Sequence, residues 1–403
     1  MKTTRLYLPD MVRATSVLLM FIIRVQVSLI NSLIAWKVRK SVRVMSLLLI
    51  LCLSQTACTE NNEINTDQLT KMKMKEIRLI KRHKNLSEYE KEEGIATINS
   101  IYSFTREIAY TKDSYYSPYV LEWITKERKF AGDNPDAQYF SFFIDPKVNY
   151  EIDVTHEDVF FMEITSYKRE NNQNMISSSF VVPAEKSKVS ISAQANKNPD
   201  LLTSATDYIV MIRYYKNTAE TILPKPVVRS IDTPENRKSV DKRFRYDLAV
   251  SLFDALYKSS VLLTEQMEQK ENDYVDELEM DNPYIKNLYP AKSNMYNGAF
   301  IRIPRGKYLL VKGKIDKSKY AIFVFYNRWW ATPFKGKNKP SVNTKNLEVD
   351  ANGNYEIRIM REERQWSNSL VIGDNECGIL SIRSIFDEVD EPSLELKSFE
   401  NNL

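Results

Sequence analysis

From Ala137 to Tyr214 the apolar positions recur with a period of two. Strands are predicted at 138–144, 149–154, 159–167, 179–182, 188–193 and 208–214. Turn-rich pieces separate them, at Asp145-Pro146, 168–174 and 196–200. Short strands at this spacing point to an antiparallel sandwich rather than to βαβ units. A second β region closes the chain. Its Ala321–Tyr326 segment is apolar on both faces, which predicts a central strand. Residues 347–349 and 355–360 flank Asn352-Gly353, a signal for a type I′ hairpin. In the second arm Tyr355, Ile357 and Ile359 should face inward, with Glu356 and Arg358 outward; residues 378–386 supply the closing strand.

Helical periodicity appears in two places. Ser87 and Glu90 make a capping box, and Leu86, Tyr89, Ile98, Ile101, Phe104 and Ile108 form an apolar face behind it. Thr233 and Pro234 predict the start of a longer helix with a stripe of Phe244, Leu248, Leu252, Leu256, Leu263 and Met267, ending near Gln269. The acidic, Pro-containing stretch 271–294 reads as a connection between domains.

The first 57 residues differ from the rest. A basic run (Lys37, Arg39, Lys40, Arg43) precedes the short apolar run 44–53 and the small-residue tail Ser54-Gln55-Thr56-Ala57-Cys58. This order is that of a secretory signal, and the apolar run is too short for a bilayer, which takes roughly 20 residues. The tail resembles a bacterial lipoprotein processing site, which implies acylation of Cys58; Thr59 after the cysteine points to the outer membrane. An earlier apolar stretch, 17–36, is interrupted by Arg24 and Gln26. A central Arg costs about 2.5–3.5 kcal/mol in a bilayer, so a start near Met11 or Met45 explains the stretch better than a membrane span.

Charge supports separating this leader. The chain carries 57 Lys/Arg and 53 Asp/Glu, but residues 1–57 hold 8 of the former and 1 of the latter, leaving the remainder near −3. The basicity belongs to the leader, and no nucleic-acid partner is expected. Among 403 residues there are 9 Gly, 3 Cys and 2 His. No glycine falls in a phosphate-binding pattern, and G-x-S-x-G, H-E-x-x-H and paired C-x-x-C are absent. No cofactor and no metal site is expected. Beyond Cys58 only Cys377 remains, so no disulfide can form within the mature chain.

The block Gly132 to Ile152 (GDNPDAQYFSFFIDPKVNYEI) resembles the domain-of-unknown-function families 1214 and 1254. The matching residues are Asp133, Asn134, Pro135, Asp136 and Tyr139, then Ile144, Asp145 and Pro146, then Tyr150 and Ile152. Further blocks follow in the group's order: Gly298 and Phe300; 321–327 with Trp330; Asp350, Asn352, Gly353 and Tyr355; and Gly378 to Arg383. Gln365-Trp366-Ser367-Asn368 stands where the group has N-W-L. The resemblance implies a two-part β-sandwich, or jelly-roll-like, fold and no assigned chemistry.

The expected architecture is mainly β: two antiparallel sandwich domains joined by a long α-helix, with an N-terminal helical segment. Residues 1–57 form the leader, 58–85 a tether, 86–230 a helix with the first sandwich, 231–294 a helix and acidic linker, and 295–403 the second sandwich.

Candidate chemistry is sparse. Asp133 and Asp136 can supply oxygens to a hard cation or act as paired carboxylates, but Asp133 and Asn134 equally suit hydrogen bonds that fix the turn before Pro135. Asp350 and Asn352 fit a turn better than an ion loop. His156 is either a general base or a turn residue in 155–158, and His83 belongs to a solvated charge run. Cys377, beside Gly378, suits a small buried thiol. Arg383 shares a strand face with Ile379 and Ile385, which implies a buried pair with a carboxylate or an anion-binding role. Trp329, Trp330 and Trp366 with Tyr326 can form an aromatic platform for sugar or lipid, or simply core. The candidate ligand-binding set is Asp133, Asn134, Asp136, Tyr139, Trp330 and Arg383.

Two functions are open at this point. One is an envelope lipoprotein, held to the membrane by its N-terminal lipid, that binds a small molecule or glycan or serves structurally. The other is an extracytoplasmic hydrolase using Asp133 and Asp136 on a saccharide or small molecule.

Overall fold

The computed structural model describes residues 67–399, apart from 113, 171–172, 233–238, 272–273, 276–281, 337 and 387–388. The leader, Cys58 and the helix start expected at Thr233-Pro234 lie outside the described residues.

Among the described residues two helices come first, α1 (Asp67–Arg82) and α2 (Glu88–Tyr110). The capping box forms: the Glu90 N–H donates to Ser87 Oγ at 3.2 Å, and the Ser87 N–H donates to Glu90 Oε2 at 2.9 Å. These bonds satisfy donors that a helix start leaves unpaired. Behind the cap, Ile98, Ile101, Phe104 and Ile108 are buried as the periodicity requires.

Nine strands follow. They are β1 (Leu121–Glu122), β2 (Ala137–Phe143), β3 (Tyr150–Asp153), β4 (Val159–Glu170) and β5 (Gln173–Val181), then β6 (Lys188–Ser192), β7 (Leu201–Leu202), β8 (Asp207–Lys216) and β9 (Val227–Ser230). Helix α3 (Lys242–Glu268) then leads to the segment carrying β10 (Tyr274–Val275) and the single-turn α4 (Pro283–Lys286). The remaining strands are β11 (Asn294–Arg302), β12 (Lys307–Lys314), β13 (Ala321–Tyr326) and β14 (Ser341–Asn343), then β15 (Asn354–Met360), β16 (Ser369–Val371), β17 (Cys377–Ile385) and β18 (Ser393–Ser398).

The two sets of strands repeat one topology. The first makes a five-stranded sheet, β1-β2-β8-β4-β5, and a four-stranded sheet, β7-β6-β3-β9. The second makes β10-β11-β17-β13-β14 and β16-β15-β12-β18. Adding nine to each strand number of the first half gives the second. Pairing is antiparallel except at β6–β7 and β15–β16, which also correspond.

Each half is a sandwich with its own core, because alternate residues of a strand point to opposite faces. In the first half Phe140, Phe142, Ile164, Val210 and Ile212 of the larger sheet meet Tyr150, Ile152, Val189 and Ile191 of the smaller one. In the second, Ile301, Phe323, Phe325, Leu380 and Ile382 meet Leu309, Val311, Ile357 and Ile359. The larger sheets therefore each have a second face, and these faces meet. Ala137, Tyr215 and Ile385 cluster there across the two halves. Helix α3 covers the rest of that face in the second half, with Leu263 and Met267 against Phe300, Val324 and Ile379. Among the described residues no helix is long and apolar enough to cross a membrane.

Local departures from expectation have identifiable causes. Strand β4 runs on to Glu170 and β5 begins at Gln173, so most of the expected turn at 168–174 is paired strand. Helix α3 begins one residue after Asp241, whose carboxylate accepts from the Arg243 and Phe244 N–H groups at 2.6 and 3.1 Å. Phe244 sits in that first turn and is 40% exposed, outside the buried stripe. No hairpin forms around Asn352-Gly353: residues 347–349 are not strand, and β15 pairs with β12 and β16 instead. Gly353 has φ of +82° and Asn352 is not left-handed, which excludes a type I′ turn. The turn is held by Asp350, whose carboxylate accepts from the Asn352 and Asn354 N–H groups, both at 2.8 Å. Strand β13 is fully buried and lies inside its sheet between β17 and β14, as predicted, with β17 in the middle position.

Candidate functional site

Where the two larger sheets face each other they leave a narrow cleft of about 60 Å³. Its position follows from the strand alternation. On β8, Val210, Ile212 and Tyr214 enter the sandwich core, so Met211, Arg213 and Tyr215 point to the seam. On β17, Leu380 and Ile382 enter the other core, and Arg383 points to the seam. Both arginines thus sit on the central strand of a five-stranded sheet. Each stands opposite a tyrosine on the neighbouring strand: Tyr139 on β2 pairs with Arg213, and Tyr296 on β11 pairs with Arg383.

The guanidiniums are buried, Arg213 to 1% exposure and Arg383 to 7%. Arg213 is well bonded. It donates to Thr165 Oγ1 at 3.2 Å, to the Tyr167 hydroxyl at 2.5 Å and to the Tyr289 carbonyl at 2.7 Å. Arg383 donates from Nη2 to the Gly132 carbonyl at 2.6 Å, and its buried Nε has no partner. The Tyr296 and Tyr326 rings lie 5.3 and 5.5 Å from its guanidinium carbon. Among the described residues neither arginine makes an ion pair, so the carboxylate partner considered for Arg383 is not found.

Gly132 fits that contact for a steric reason. Its φ is +68°, and a Cβ there would stand 2.5 Å from Arg383 Nη2 and 3.3 Å from Trp330 Cε3. The Gly132 N–H donates to the Trp330 carbonyl at 2.6 Å. Trp330, itself left-handed at φ +57°, donates through Nε1 to Thr264 Oγ1 at 3.0 Å and stacks on Tyr326. The loop carrying Trp330 is held from the side by α2. The fully buried Glu93 carboxylate accepts from the Phe334 and Lys335 N–H groups and from Asn327 Nδ2 at 3.0–3.2 Å. Burial raises the Glu93 pKa above the usual carboxylate value, and those hydrogen bonds pull the other way.

Of the residues picked out from the sequence, Asp133, Tyr139, Trp330 and Arg383 line the cleft together. Tyr139 is pushed up to about 12 by burial, so it is a neutral hydroxyl there. Asp133 reaches across the seam, accepting from the Thr332 N–H at 2.8 Å and from Thr332 Oγ1 at 2.5 Å; burial raises its pKa. Asn134 and Asp136 do not line the cleft. Asn134 Oδ1 accepts the Asp136 N–H at 2.9 Å, the turn-fixing bond its sequence suggested. Asp136 accepts from the Tyr320 hydroxyl at 2.9 Å and Asn343 Nδ2 at 2.6 Å, both on the second half. The two aspartates therefore stitch the halves together at different places, and do not converge on one point as an acid–base pair would.

The other candidates lie apart. His156 sits in its turn, with Nε2 2.6 Å from the Lys186 carbonyl. Cys377 is buried against Arg328 and Glu90, and burial pushes its thiol up to about 11. Trp329 packs on α2 at Gly94, and Trp366 meets Tyr308 edge-on and Phe399 at a tilt elsewhere, so the tryptophans form no common platform. No group of three or more His, Cys, Asp and Glu among the described residues could hold a metal ion.

Arg213, Trp123, Phe130, Tyr289 and Tyr296 line the cleft but were not picked out from the sequence. For Arg213 a signal existed. Ile212-Arg213 on β8 and Ile382-Arg383 on β17 put an arginine on a mostly apolar strand face at corresponding positions. Tyr289 comes from the segment expected to be a plain linker, which instead forms one wall.

No protein-family model matches the chain, and no curated protein does. Two solved structures are similar. An uncharacterised protein from Burkholderia cenocepacia superposes with a TM-score of 0.71 at 12% identity, over 82% of this chain and 96% of that one. A protein from Vibrio parahaemolyticus gives a TM-score of 0.44 at 12% identity, over 81% of this chain and all of that one. The former likeness establishes a shared mainly β fold.

Proposed function

We propose that the protein is an exported, lipid-anchored binding module, allied to the 1214 and 1254 families, whose small-molecule ligand enters the cleft between its two sandwiches. The observation that carries this reading is the cleft itself. It has aromatic and aliphatic walls with a few polar groups converging on them, the usual make-up of a ligand site. Four residues chosen from sequence alone meet there. The hydrolase alternative finds less support, because Asp136 is engaged away from the cleft. The Ala57-Cys58 junction supports attachment to the cell envelope, and two or more acyl chains make such attachment stable.

A thermal-shift screen of small metabolites on the full-length protein tests the cleft, run beside Leu288→Trp, which fills it from the connecting segment. Compounds that stabilise the parent and not the filled variant support the reading. Compounds that stabilise both alike would place binding elsewhere. Labelling with palmitate, compared with Cys58→Ala, tests the anchor; equal incorporation in both would remove it.

A further inference from the structure

We infer that the ligand of this cleft is a small organic acid, its carboxylate seated on Arg383 with Arg213 nearby and its apolar body against the aromatic walls. The inference rests on the cleft reading and names the chemical class.

Three observations carry it. First, the repeat places an arginine at the same position of both central strands, yet only one has an acidic residue directly opposite it in the sheet. Glu163 on β4 stands directly opposite Arg213, whereas the corresponding partner of Arg383 on β13 is Ile322. Both terminal nitrogens of Arg213 also donate to hydroxyls or carbonyls, as described. Arg383 has one carbonyl and an Nε, buried, with no partner. A guanidinium cannot shed its charge, and an uncompensated buried charge is costly, so an anion supplied from outside completes this site and not the other.

Second, the one carboxylate lining the cleft cannot play that part. Asp133 already accepts two hydrogen bonds from Thr332 and lies beyond ion-pair distance of Arg383. Third, the donors are a planar guanidinium and neutral tyrosine hydroxyls, with no lysine on the lining and no helix N-terminus of adequate length aimed at it. Phosphate sites are commonly built from backbone N–H groups at a helix start. A planar fork matches a carboxylate in two bonds. Trp123, Phe130, Tyr289 and Trp330 offer the body of the ligand stacking and apolar contact.

The test titrates full-length protein, by calorimetry in detergent, with arylalkanoates and C6–C12 fatty acids, each paired with its primary amide and with the corresponding alkyl or aryl phosphate. At least one acid should bind about 30-fold more tightly than its amide, the worth of a charge-assisted hydrogen bond to a buried group. Arg383→Gln should bring that acid to within about threefold of the amide, and Arg383→Lys should give an intermediate loss because the charge stays and the fork goes. Melting curves and an exposed-site control, Arg305→Gln, separate these effects from misfolding and from surface charge; Arg383→Lys carries the test if Arg383→Gln does not fold. Amides binding as tightly as acids would overturn the organic-acid assignment and leave the cleft reading standing. Phosphates binding more tightly than acids would do the same. No binding by any member of the set would overturn both.

Discussion

Glu93→Ala is the substitution from which the support of the cleft is read most clearly. The Glu93 carboxylate is fully buried and is the shared acceptor for Phe334 N–H, Lys335 N–H and Asn327 Nδ2, the bonds that pin the loop bearing Trp330 and Thr332. Each donor left without a partner costs about 1–3 kcal/mol, less where water can reach it. Removing the carboxylate also relieves the desolvation that raises its pKa. The net loss should be about 2–4 kcal/mol, read as a lower guanidinium midpoint with unchanged slope in a tryptophan-fluorescence unfolding curve. The proton linkage has a definite sign. A carboxyl whose folded pKa is raised contributes stability that is complete below the unfolded value of 4.5 and declines as pH climbs through the folded value. Glu93→Gln has no such group, so its stability relative to the parent should improve as pH rises above 4.5. A loss under about 0.5 kcal/mol for Glu93→Ala, against the usual 3–5 kcal/mol for breaking a buried charged contact, would refute this account of how α2 holds the loop.

Other outcomes follow from the same geometry. Asp133→Asn should behave like Glu93→Gln in its pH dependence, gaining on the parent above the ordinary aspartate value of 3.8, as melting temperatures across a pH series would reveal. Gly132→Ala puts a Cβ on Arg383 and a side chain in left-handed backbone, so chemical denaturation should register a loss of about 1–2 kcal/mol from the conformation alone. The buried Cys377 thiol, pushed up to about 11, should resist iodoacetamide at pH 8 in the native protein and react once unfolded, as peptide mapping would record. His156→Gln should leave acid binding in the cleft unchanged by calorimetry, since His156 sits in a turn away from the lining.

Much of this was legible in the chain, and the reasons differ from element to element. The period of two located most of the first sandwich because alternate side chains of its strands enter one core, even though β2 and β8 are buried on both faces. The capping box at Ser87 worked because its bonds are local. The hairpin at Asn352-Gly353 failed because the partner of β15 lies about 45 residues upstream, on β12, and no local signal names it. The site was half legible. Arg383 and Asp133 drew notice as polar groups among apolar or turn residues, but what they meet is set by long-range contacts: Arg383 to Gly132, and Asp133 to Thr332. Arg213 carried the same signal as Arg383. Its significance depends on the repeated topology, which at this sequence divergence shows in strand order and not in residue identity.

The most direct measurement is a crystal structure of the protein soaked with 3-(4-bromophenyl)propanoate. The account predicts an anomalous bromine peak inside the cleft against its aromatic wall, with the carboxylate within hydrogen-bond distance of Arg383. A bromine peak only outside the seam, or a carboxylate turned away from both arginines, would contradict it.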